Sequence, residues 1–285
     1  MSESEFQACL ARIYVSESFR LLSRLDPSAT IDRYELSPDE RSAILALDHQ
    51  RVDQFAASLR SKRRKRFETS FPAVFQIDRL RARRLWERFY ELAGTISEIP
   101  VDATILAFGK FLEYSVENTG WPPYTRDLVA FETAVARAIP VSGDFVDLRN
   151  SSDIPQPHDR YALIGNAQLH TFHYDVIEIL EGLAEGQMPD IAAEVTTHIL
   201  IFRNPDSLAM RFFRLNESSM LVLKNCDGVQ SVREIASKLE EHYNSPTLQP
   251  AIVKLVSNLH SRGIIQKKTT NLDTLAKAGS LKVAE

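Results

Sequence analysis

The chain has 285 residues, 44% hydrophobic and 25% charged, with a net charge of −4, so it is long enough for two domains with cores and too apolar for wholesale disorder. The mild acidity argues against a dedicated nucleic-acid binder, and nowhere do about 18 apolar residues run together as a membrane span requires. Cys9 and Cys226 are the only two cysteines, too few for a disulfide framework, and the opening "MSESEFQACLARIYVSESF" lacks a basic region followed by an apolar run; the expected location is the cytoplasm.

The first half reads as helical. "EFQACLARIYVSESFRLLSRL" sets Phe6, Leu10, Ile13, Phe19, Leu22 and Leu25 at helical spacing. "LSPDERSAILALD" opens with Ser37 as N-cap, Pro38 at the first helical position and acidic Asp39 and Glu40 in the first turn. The next helix carries Val52, Phe55 and Leu59 and runs into "RSKRRKRF"; after "FPAV", "IDRLRARRLWERFYELA" offers Leu80, Leu85, Phe89 and Leu92 as apolar positions. "VDATILAFGKFLEYSVEN" and "RDLVAFETAVARAI" complete a set of about six helices, the last two broken apart by Gly120-Trp121-Pro122-Pro123.

The pattern changes near Pro140. "IPVSGDFVDLRNSSDIPQPHDRY" reads as a connection rich in proline and small polar residues. Beyond it "AQLHTFHYDV", "EVTTHILIFRN" and "SLAMRFFRL" read as three strands, the last two forming a hairpin around Asn204-Pro205-Asp206. Helices are expected from about Glu217 to Asn225, then, after an Asp227-Gly228 turn, from Ser231 to Tyr243 and from Leu248 to Arg262. Ser231 and Glu234 have capping-box spacing, Gly263 supplies the final stop, and "IIQKK" is a short returning strand. The expected fold is α+β: an all-α domain over 1–140, a linker over 141–160, a winged-helix-like domain of three strands and three helices over 161–268, and a mobile tail over 269–285.

No catalytic set stands out. His170, His173 and Asp175 in "HTFHYD" suggest metal ligands, but strand residues three apart point to opposite faces, and no HExxH or CxxC accompanies them; the expectation is no metal and no cofactor in this chain. GxSxG, phosphate-binding glycine loops and paired catalytic carboxylates are absent, and Cys226 at a helix end reads as a small packing residue. Such a chain is expected to bind rather than catalyse.

Between Arg51 and Arg88 twelve Lys or Arg face four Asp or Glu. This run could neutralise phosphates, dock an acidic partner, or be a solvated helix end continuing onto an arginine-rich face. A DNA-reading winged helix needs Lys and Arg on its recognition helix. Here "LQPAIVKLVSNLHSR" carries only Lys254 and Arg262, and residues 155–268 hold eleven Lys or Arg against thirteen Asp or Glu. An edge strand beside a helix has another use: it takes up an extended peptide.

The three strands, "LNESSMLVLKNCDGVQSVREIASKL" and the ending "LVSNLHSRGII" resemble the PqqD-like recognition elements of ribosomally made peptide natural-product pathways, over roughly Gln168 to Lys268. With "LSPDERSAILALD…VDQFAASLRSKR" and "GWPPYTRDLVAFETAVA" ahead of it, the chain is similar to the partner proteins of multinuclear non-haem iron oxidases, the group that includes the methanobactin and thiaglutamate partners. The resemblance implies a non-catalytic subunit that binds a precursor's leader and presents its core, often a cysteine, to a separate oxidase holding the iron. The second functional reading is a winged-helix transcription regulator with a helical sensor domain.

The resemblance implies that the leader lies along the strand Leu208–Leu215, against the third helix. Leu248, Ile252, Leu255 and Leu259 form the core stripe of that helix. The expected groove is lined by Leu208, Met210, Arg211, Phe212 and Phe213 with Val253, Val256, Ser257 and His260, while Lys254 and Arg262 hold acidic leader residues at the rim. Docking of the oxidase as a heterodimer is expected at Trp121, Pro122, Pro123 and Tyr124; a buried Trp121 capping the helical core is the alternative.

Overall fold

The computed structural model describes residues 3–93, 101–117, 120–138, 155–188, 193–204, 207 and 209–268. The architecture is mixed α and β, with thirteen helices and two small three-stranded sheets among these residues; helices fill the N-terminal half and strands the C-terminal half, as the sequence pattern implies. The linker residues up to 154 and the tail from 269 lie outside the described residues.

The chain divides into two compact units, each discontinuous in sequence: residues 1–136 with 177–192, and residues 137–176 with 193–285. The helical unit begins with α1 (Glu3–Val15), α2 (Glu17–Leu25), α3 (Pro27–Ile31), α4 (Pro38–Leu45) and α5 (His49–Ser70). The first expected helix is therefore two. Ser16 leaves the helical region, and its hydroxyl accepts from the Phe19 amide at 3.2 Å, starting a new helix. The N-cap expected at Ser37 is present and is part of a full capping box: its hydroxyl accepts from Glu40 N, and the Glu40 carboxylate accepts from Ser37 N at 2.8 Å. Cys9, Ile13, Phe19, Ile31, Ile44 and Val52 form the core of these five helices. The turn at Ser16 rephases α2, so Leu22 and Leu25, expected inside, are 42% and 74% exposed.

Next come α6 (Pro72–Ile77), α7 (Arg79–Ala93), α8 (Val101–Val116) and α9 (Thr125–Arg137). Their core is aromatic: Phe67 meets Trp86, Phe89 and Phe108 at ring separations of 6.3, 6.1 and 5.0 Å. Burying Ala82, Trp86, Phe89 and Tyr90 fixes the phase of α7 and turns Leu80 and Leu92, two of its four expected core positions, outward. Gly109 allows α8 to approach α9, since a Cβ there would overlap Thr133. Phe71 offers no side-chain cap for α6; Glu132 of α9 supplies it, accepting from the amides of Ala73 at 2.7 Å and Val74 at 3.3 Å.

The second unit contains β1 (Arg160–Leu163) and β2 (Gln168–Tyr174), after which α10 (Val176–Ala184) enters the helical unit. The sequence reading missed α10, whose apolar residues follow the strand without a break. Return of the chain gives β3 (Glu194–Arg203), β4 (Met210–Leu215), α11 (Glu217–Asn225), β5 (Asp227–Ser231), α12 (Val232–Tyr243), α13 (Gln249–Ser261) and β6 (Ile265–Lys267). The sheets run β2-β3-β4 and β5-β1-β6, all antiparallel. The expected hairpin is β3–β4, with Arg203 opposite Met210. The expected Asp-Gly turn is instead the start of β5: Asp227 accepts from the amides of Val229 and Gln230, Gly228 takes φ +84°, and the segment pairs with β1.

The edge strand β4 and helix α13

β4 is the outer strand of its sheet among the described residues. Its register decides which side chains can meet α13, because strand neighbours alternate between faces and a slip of one residue exchanges them. Arg211, Phe213 and Leu215 pair with Phe202, Leu200 and His198. Leu200 and Phe202 belong to the core that β3 shares with α11, α12 and α13, and Phe213 and Leu215 pack against it. Phe213 stacks on Phe202 at 5.7 Å, and the Arg262 guanidinium at the end of α13 lies 5.6 Å from the Phe213 ring.

Met210, Phe212 and Arg214 therefore face the other way. Two of the expected groove residues, Met210 and Phe212, do not meet α13. Phe212 is 40% exposed on that opposite face, where Arg214 donates to Asp175 at 3.0 Å. Alternation alone could not choose between the faces, since Phe212 and Phe213 are adjacent and identical. Leu208 lies outside the described residues.

The helix also corrects the expected lining. Val256 is 0% exposed, inside the core. His260 is buried; its Nδ1 donates to the Ile265 carbonyl at 3.1 Å and its ring meets Tyr161 of β1. Val253 and Ser257 share that stripe at helical spacing and are half-buried, so it turns toward β1 and β6 rather than β4. Arg262 reaches Phe213, so the flank beside β4 carries Leu255, Leu259 and Arg262, at steps of four and three. The expected core stripe and the groove wall thus share residues. Lys254 is exposed and lies roughly opposite Ile252 on the helix, away from the rim.

The surviving constellation is an apolar floor of Phe213, Leu215, Leu255 and Leu259, with Arg211 and Arg262 as exposed cations beside it. It offers backbone pairing along an edge, an apolar wall and positive charge, with no nucleophile or acid–base pair. The thiols do not supply one. Burial pushes Cys226 to about 12, with Asp227 adding to the rise, and burial pushes Cys9 to about 11. Both side chains are buried. Among the described residues no three of His, Cys, Asp and Glu are placed to hold a metal ion. His170 and His173 diverge: His170 stacks with Phe172 and its pKa is lowered by burial and then by Arg137, while His173 is exposed on the other face.

The expected docking bend is mostly interior. Trp121 is 8% and Tyr124 1% exposed, and Arg81 stacks over the Trp121 ring at 5.3 Å while donating to the Gly120 carbonyl. Pro122 is half-buried and Pro123 exposed.

Residues 204–265 match the family model described as Coenzyme PQQ synthesis protein D (PqqD). The matched stretch contains β4, α13 and the elements between them, so this part of the chain is similar to PqqD. A comparison with curated proteins finds no match. No described helix is long and apolar enough to cross a membrane.

Proposed function

We propose that the chain is a non-catalytic partner subunit that binds the leader of a ribosomally made precursor peptide. It presents the core, a cysteine foremost, to a separate multinuclear non-haem iron oxidase in the cytoplasm. The observation that carries this reading is the edge strand β4 beside α13 inside the PqqD-like stretch, with Phe213 and Leu215 on the helix side. An added strand gains its affinity from main-chain hydrogen bonds and its selectivity from the side chains that enter the groove. The leader pairs with β4, sets apolar residues on Phe213 and Leu255, and brings acidic residues to Arg211 and Arg262. The iron belongs to the oxidase, with which this chain forms a heterodimer.

Fluorescence anisotropy with a labelled leader from a candidate precursor peptide, against a labelled random duplex, tests the reading. The expected result is saturable leader binding with no preference for the duplex. Tight duplex binding without leader binding would instead favour a transcription regulator. Co-purification with a candidate multinuclear iron oxidase tests the heterodimer separately.

A further inference from the structure

The helical unit carries a basic face that the leader groove does not use. Some of its cations are internal struts. Arg60 bonds Glu17 and Glu91, Arg64 and Arg83 share Glu68, and Arg66 bonds Asp102. Arg60 and Arg63 also sit over the Tyr90 ring at 5.6 and 5.7 Å. Lys62, Lys65, Arg79, Arg84 and Arg88 are different: all are exposed, and none has an acidic partner among the described residues.

On α7 two of these cations are flanked by apolar side chains. Leu80, Arg84, Arg88 and Leu92 follow at four-residue steps, with Leu80 70% and Leu92 65% exposed. The stripe is about 18 Å long at 1.5 Å per residue. Two leucines this exposed on a helix that buries Trp86, Phe89 and Tyr90 are not left over from a loosely packed core.

We infer that the outer face of α5 and α7 docks an acidic protein surface that also carries apolar side chains. Charge complementarity selects the sign of the partner, and the two leucines select its class. Phosphate offers nothing for Leu80 and Leu92 to bury against. Tyr90, the ring beneath Arg60 and Arg63, is buried and cannot stack on a base. Arginines around an apolar contact are the composition of a protein interface, and the uncompensated charge accelerates encounter. This inference stands apart from the leader reading, since every residue it uses lies in the helical unit.

The test uses the full chain and three labelled probes: a peptide the length of α7 made only of glutamate and leucine, an all-glutamate peptide of that length, and a duplex DNA. The glutamate–leucine peptide should bind about tenfold tighter than the all-glutamate one, as burial of one leucine allows. Reversing both Arg84 and Arg88 to Glu should abolish binding of either peptide. Replacing exposed Leu80 and Leu92 by Ala, with unchanged circular dichroism, should remove the difference between the two. Equal or tighter binding of the duplex, or leucine and arginine variants that bind as the parent does, would overturn the inference.

Discussion

The guanidinium of Arg262 lies over one face of the Phe213 ring, and Phe202 stacks on Phe213 at 5.7 Å with the rings 15° from parallel. The end of α13 is thereby tied to β4 through a ring that β3 already holds. This contact between helix and strand is present without a ligand, which lowers the ordering cost of binding.

That register gives a paired prediction. Reversing Arg211 and Arg262 to Glu together should weaken leader binding about tenfold, since each exposed pair contributes about 1 kcal/mol or less. Phe212→Ala, on the opposite face, should leave the affinity unchanged. Calorimetry on both variants decides it: a large loss from Phe212→Ala would mean that the leader lies on the other side of the sheet.

Val256 reports on folding rather than on the groove. It is fully buried among Ile252, Leu259 and the β-sheet residues. Val256→Asp should destabilise the second unit by about 3 kcal/mol or more, the scale of an unpaired buried charge. Thermal melting should show the loss with no peptide present, whereas an unchanged midpoint would place Val256 outside the core.

Glu132 should make the helical unit lose stability as pH rises from about 4.5 to about 8. Burial pushes its pKa up from 4.5 to about 8, against the lowering effect of the Ala73 and Val74 amides. A folded-state pKa raised above the unfolded one gives stability that is complete below pH 4.5 and is lost as pH rises through about 8. One proton limits the slope to about 1.4 kcal/mol per pH unit. Glu132→Gln, which cannot ionise, should flatten the denaturation midpoints between pH 5 and 8; a slope that survives the substitution would assign it to another group.

Trp121→Ala should cost about 3–5 kcal/mol, the range for emptying a large buried aromatic site. Pro123→Ala, at the exposed corner of the same bend, should leave the melting temperature unchanged and so isolates any contribution to oxidase docking. A Trp121→Ala protein as stable as the parent would remove the core role of the ring.

The cysteines should be silent in the native protein. Cys9 and Cys226 are 0% and 3% exposed, and burial holds both thiols above their ordinary range. A thiol-reactive dye at pH 7 should label neither until denaturant is added. Rapid labelling of the folded chain would contradict the packing of at least one of them.

Features carried by local chemistry were legible in the sequence. The boxes at Ser37–Glu40 and Ser231–Glu234, the stop at Gly263 and the hairpin at Asn204 each depend on residues a few positions apart. Features decided by distant partners were not. β5 is a strand because β1 pairs with it, although Asp227 and Gly228 alone spell a turn. α7 takes its phase from Trp86 and Tyr90, and its Leu80 and Leu92 look apolar enough to be core. The groove face of β4 is set by the pairing of Phe213 with Leu200, which two successive phenylalanines conceal.

The insertion of α10 between β2 and β3 has a consequence for anyone dividing the protein. No single cut of the chain separates the two units, because the strand-bearing unit lends residues 177–192 to the helical one. A fragment beginning near Pro155 would carry Ile179 and Leu183 into water, both buried in the whole chain, and would leave Gln76 without the Leu183 carbonyl it bonds. Such a fragment therefore brings its own aggregation hazard, whereas replacing α10 by a short polar turn would bridge Tyr174 and Glu194, which already face each other across the β2–β3 pair.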